Sequence, residues 1–151
     1  MKLRRASNED NDMNEGAFLY FRISGNDLDF NEINRLTNKI PCNTYAKGDV
    51  IKNNFFETVI TEDCWMSEYQ IHKDQSLNEA ILSFLRPYVM NESYIVSLSN
   101  ENKVALYLSV YPENYHYCVH LSKETIAMLY RLNLELEITL TNLSEFYDGK
   151  K

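Results

Sequence analysis

The sequence predicts one α+β domain, a mainly antiparallel sheet of about seven strands with three helices packed on one face. Three observations lead there. Helical stripes stand at 29–38, 76–86 and 123–132, separated by runs that alternate with a period of two. The chain has 151 residues, enough for one hydrophobic core and short for two. With 44% hydrophobic residues, four glycines and three prolines, it has the composition of a folded protein.

Residues 1–15 are polar and aperiodic and read as a tail; the domain occupies 16–143, and 144–151 form a second polar tail. From Ala17 the chain alternates, with Leu19, Phe21 and Ile23 on one side and Phe18, Tyr20 and Arg22 on the other. Ser24, Gly25 and Asn26 break this strand. Asp29 with Glu32 has the spacing of an N-cap and its reciprocal glutamate, and Leu28 and Ile33 are spaced as a hydrophobic staple. Asp29 therefore reads as a cap, and the helix must end before Pro41.

Residues 43–54 form a long loop or two short pieces around a Lys47, Gly48, Asp49 turn. Residues 55–71 suggest a hairpin turning near Glu62 and Asp63. Ser76 and Glu79 repeat the capping box ahead of a stripe of Leu77, Ile81, Phe84, Leu85 and Tyr88, with Pro87 expected to end that helix. "SYIVSLS" and "KVALYLSVY" flank Asn100, Glu101 and Asn102 and read as a second hairpin. "YHYCVHL" reads as a further strand. Ser122 caps the last helix, Asn133 suits a left-handed closing position, and "LELEITL" makes the final strand, with Leu134, Leu136, Ile138 and Leu140 expected inside.

Twenty-two acidic against fifteen basic side chains give a formal net charge of -7. That field repels a phosphate backbone, so nucleic acid is excluded as an expected partner, while a basic protein is favoured in approach. Cys42, Cys64 and Cys118 are odd in number and widely spaced, which predicts free thiols in the cytoplasm. The first residues lack the apolar run of a signal peptide, and no segment reaches the roughly 20 apolar residues of a membrane span.

Chemistry is sparsely marked. His116, Cys118 and His120 are the one metal-type cluster, but on a strand the two histidines stand about 13 Å apart, too far to share an ion. No metal or cofactor is expected. Any of the three cysteines could meet a histidine after folding, so none is marked as a nucleophile. Asp27, Asp29, Glu32 and Asp49 could pair as acid and base or hold a cation, yet caps and turns account for them more simply. Gly25 and Gly48 are isolated and match no nucleotide-binding pattern. There remains a candidate interaction surface in which Arg22, Asp27, Lys47 and Asp49 stand at neighbouring element ends and Trp65 supplies an apolar anchor.

"YFRISGNDLDFNEINRLTNKIP", "AKGD" and "CWMSE", followed by "LNEAILSFLRPY" and "LSKETIAMLYRLNLELEITL", together resemble a bacterial family, domain of unknown function 4279, across residues 17–141. The chain differs from its pattern at Phe30, at Asn38 and at the closing "EITL". The resemblance implies a cytoplasmic bacterial protein and links it to relatives regarded as immunity proteins of toxin systems. The resulting expectation is a non-enzymatic binding protein, monomeric or weakly dimeric, that neutralises a cognate basic toxin. A regulatory or structural module that binds a small ligand or peptide is the alternative, and an enzyme ranks third.

Overall fold

The structure, a computed structural model, describes residues 16–72, 74–112 and 117–141. Seven strands and four helices follow in the order β1 (Ala17–Gly25), α1 (Phe30–Thr37), β2 (Asn43–Tyr45), β3 (Val50–Lys52), β4 (Glu57–Val59), β5 (Asp63–Gln70), α2 (Leu77–Val89), α3 (Glu92–Glu101), β6 (Lys103–Val110), α4 (Lys123–Arg131) and β7 (Glu135–Leu140). The main sheet has the order β2-β5-β1-β6-β7, and β3 and β4 form a separate two-stranded ribbon. The α+β class holds, but the sheet is mixed. β6 and β7 run parallel because α4 carries the chain from the end of one strand back to the start of the next, the long crossover that a parallel pair requires.

β1 is the centre of the sheet, antiparallel to both β5 and β6. Its alternation sorts the molecule into two faces. Leu19, Phe21 and Ile23 align with Tyr69, Ser67 and Trp65 on β5 and with Leu108, Leu106 and Val104 on β6. Over this face lie Ile33 of α1, Ile81, Phe84, Leu85 and Tyr88 of α2, Ile95 of α3 and Leu129 of α4, all in one core. The Tyr88 ring stacks on Phe21 with centroids 3.8 Å apart, and its hydroxyl hydrogen-bonds Ser67 inside the core. Burial pushes the Tyr88 phenol far above its ordinary pKa, so it stays neutral.

The helix starts follow the sequence closely. Asp29 Oδ1 accepts from Glu32 N at 3.0 Å, but Glu32 does not return the expected reciprocal bond, its carboxylate lying 3.9 Å from Arg35 instead; Ser76 and Glu79 bond each other's backbone in a complete capping box. Ser122 Oγ accepts from Thr125 N at 3.1 Å. Asn78 of α2 adds a tertiary clamp, its Oδ1 accepting from Ser122 N at 2.8 Å and from the Thr125 hydroxyl at 2.7 Å. Asn38 and Asn133 occupy the left-handed region, φ 54° and 55°, closing α1 and following α4. Asp29→Ala is expected to cost about 1 kcal/mol of stability, read from urea denaturation; an unmoved midpoint would show that the cap contributes nothing.

Several expectations need correction. Residues 92–101 are a helix, not the first arm of a hairpin, because β6 already has β1 and β7 as its two neighbours and offers no edge. Residues 55–71 are not one hairpin either: β4 pairs with β3, while β5 pairs with β1 and β2. Pro87 does not end its helix but sits in its last turn, where its missing N–H costs the one bond to Ser83 O. Ile138 and Leu140 are exposed because β7 is the edge strand. The strand expected from "YHYCVHL" falls partly outside the described residues; 117–121 has no strand, and Cys118 and His120 are exposed.

Candidate functional site

Among the described residues no helix covers the second face of the sheet. Phe18, Tyr20 and Arg22 of β1 align there with Gln70, Glu68 and Met66 of β5 and with Ser109, Tyr107 and Ala105 of β6. Phe18 and Tyr20 stack at 6.4 Å, and the Arg22 guanidinium and the Lys103 ammonium each lie 6.0 Å from the Tyr107 ring centre. The half-burial of these aromatics explains why their alternation looked two-sided in the sequence.

Towards β5 this face deepens into a cavity of about 290 Å³, walled by Arg22, Tyr45, Cys64 and Met66 on the sheet and by residues 58–62 on the strand returning from the ribbon. Arg22 is the one cation among these residues. Its Nε is buried with no hydrogen-bond partner, and among the described residues no carboxylate forms an ion pair with it. An unpaired buried donor of this kind costs about 1 to 3 kcal/mol. Cys64 stands beside the guanidinium; burial pushes its thiol up, against the opposing pull of Arg22, so it stays protonated and is neither a counter-ion nor a ready nucleophile.

A second organising group is Asp63, at the start of β5. Its Oδ2 accepts from Leu28 N at 2.9 Å and its Oδ1 from Lys47 N at 2.8 Å. One carboxylate thus ties the loop after β1 to the turn after β2. These bonds, the one from Lys47 first, hold the Asp63 carboxyl below the ordinary carboxylate range. The turn itself is closed by Asp49, whose Oδ2 accepts from Ala46 N at 2.8 Å, with Gly48 at φ 96° where a side chain would be strained.

The five residues of the expected surface are therefore distributed. The segments bearing Asp27 and Lys47 meet through Asp63; Asp49 is a turn residue, and Arg22 lines the cavity. Trp65 does not join them. It lies on the helix-covered face, fully buried, with its indole N–H on Asn34 Oδ1 at 2.8 Å, because its register partner Ile23 faces the core. Asp27, Asp29 and Glu32 do share a cleft of about 400 Å³ with Tyr94 and Glu101, an acidic surface at the end of α3. Asp49 is not part of it.

The ribbon is the element that the sequence reading missed. Asn53 Oδ1 accepts from Phe55 N and Phe56 N, at 2.7 and 3.0 Å, and its own N–H donates to Phe56 O, fixing the tip. Phe55 is 93% exposed and Phe56 54%, with Val50 and Val59 at 57% and 58% along the two strands. The Lys52–Glu57 ion pair, 3.3 Å, flanks them. The signal was the pair of phenylalanines directly after two asparagines, where a strand reading sends one of them inward.

Among the described residues no three His, Cys, Asp or Glu side chains are grouped to hold a metal ion, and no helix is long and apolar enough to cross a membrane. The chain belongs to the family described as domain of unknown function DUF4279, whose model matches residues 14–143. No curated protein and no solved structure matches it.

Proposed function

We propose that this is a non-enzymatic binding protein that engages a protein partner through the β3–β4 ribbon, in the manner of an immunity protein covering a toxin. The observation that carries the reading is the concentration of exposed apolar side chains, Val50, Phe55, Phe56 and Val59, on one projecting element with a fixed tip. Water-exposed apolar surface of this kind is a net cost to an isolated chain and is recovered when a partner covers it. Aromatic residues are also the side chains most enriched among interface anchors. The net charge of -7 and the cleft lined by Asp27, Asp29, Glu32 and Glu101 favour a basic partner by steering its approach.

Copurification from the native cell identifies the partner, and calorimetry then measures it. Phe55→Ala combined with Phe56→Ala is expected to weaken the complex by more than about tenfold, or 1.4 kcal/mol, with folding unchanged because neither ring is in the core. A stoichiometric protein partner held equally well by the double variant would reject the ribbon as its interface. The second reading, a module that binds a small ligand, is favoured by the cavity at Arg22; a metabolite retained in the absence of any protein partner would favour it.

A further inference from the structure

The geometry points to the cavity beneath the ribbon as a binding site for a small zwitterion, an apolar α-amino acid, with its carboxylate on Arg22 and its ammonium towards Glu62. This inference does not rest on the ribbon having a protein partner.

Charge selects the ligand class. The residues that line the cavity contain one cation, Arg22, and one carboxylate, Glu62, and among the described residues the two form no ion pair with each other. Neither charge is neutralised by another described residue. Among the described residues the neighbours of Arg22, the Tyr107 ring at 6.0 Å and the protonated Cys64 thiol, supply no anion, and its buried Nε has no acceptor. A guanidinium presents its N–H groups as a planar fork that a carboxylate matches with two parallel bonds. A simple anion would meet repulsion from Glu62, and a simple cation would meet it from Arg22. A zwitterion satisfies both.

Size and polarity narrow it further. At about 290 Å³ the cavity sits near the lower bound, roughly 300 Å³, of small-molecule sites. The lining also includes Tyr45, Val59, Ile60 and Met66, which suit an aliphatic or thioether side chain, together with Thr58 and Thr61. Because residues 58–62 leave the ribbon to form one wall, occupancy also links the ribbon's root to the sheet.

The test is titration calorimetry of the full chain with three probes: leucine, its deaminated counterpart 4-methylpentanoate, and its decarboxylated counterpart 3-methylbutylamine. Leucine is expected to bind at millimolar concentration or below, with each one-charge probe weaker by at least about tenfold. Arg22→Met should abolish leucine binding, and Glu62→Gln, at an exposed position that folding does not depend on, should remove the preference of leucine over 4-methylpentanoate. Should Arg22→Met fail to fold, the Glu62→Gln comparison and the shift of the Arg22 Nε–H resonance on adding leucine to the unaltered chain still decide. Absence of leucine binding, equal binding of 4-methylpentanoate, or an Nε–H resonance unmoved at saturation overturns the assignment.

Discussion

Trp65→Ala is expected to remove about 3 to 5 kcal/mol of folding stability, a large share of the roughly 5 to 15 kcal/mol that holds a domain together. The ring is fully buried, packs edge-on against Phe21 with centroids 6.5 Å apart, and sits opposite Ile23 on the helix-covered face. Truncation opens a cavity at the centre of the core, and it leaves Asn34 Oδ1 without its 2.8 Å donor. Trp65→Phe separates the two contributions, since it keeps most of the apolar volume and loses the hydrogen bond. Urea unfolding followed by far-UV circular dichroism measures both variants, as the tryptophan signal disappears with the residue. The molecules that remain folded should bind a ribbon partner normally. A Trp65→Ala protein within about 1 kcal/mol of the parent would mean that the ring is not in the core.

Asp63→Asn is the second large effect, about 1 to 2 kcal/mol at neutral pH, at the low end for charged hydrogen bonds because the carboxylate is partly in solvent. Asparagine keeps one acceptor oxygen but turns an NH2 group towards the other backbone N–H, so either Leu28 or Lys47 loses its bond. The sign with pH follows from the direction of the shift. The folded-state pKa of Asp63 is depressed, so its contribution is complete above the unfolded value, about 4, and is lost as pH falls through the folded one. The stability difference between parent and Asp63→Asn should thus be greatest near neutrality and shrink below about pH 4. A difference that widens on acidification would contradict the bonding seen at Asp63.

Asp63 also shows why the site was only partly legible. In sequence it looked like half of a turn, because nothing local indicates that backbone donors 35 and 16 residues away will converge on its two oxygens. Arg22 was visible as a charge in a strand, but its unpaired Nε and the wall of residues 58–62 arise only when β5 pairs with β1 and the ribbon closes beside it. Trp65 misled for the related reason that its setting beside polar residues says nothing about which face of the sheet its register will give it.

By itself the sequence determined what short-range physics controls. Asp29, Ser76 and Ser122 start helices because a side-chain oxygen reaches an N–H three residues on, and Asn133 takes up left-handed backbone just after α4. The alternation of β1 and β6 fixed their buried faces before any partner strand was known. The tertiary structure alone decided whether residues 92–101 would be strand or helix. Tyr94, Ile95, Val96 and Leu98 contain both an alternation and a helical spacing, so local energies nearly balance. With both sides of β6 occupied, a strand there would have unpaired backbone groups, whereas a helix satisfies its own and still buries Ile95.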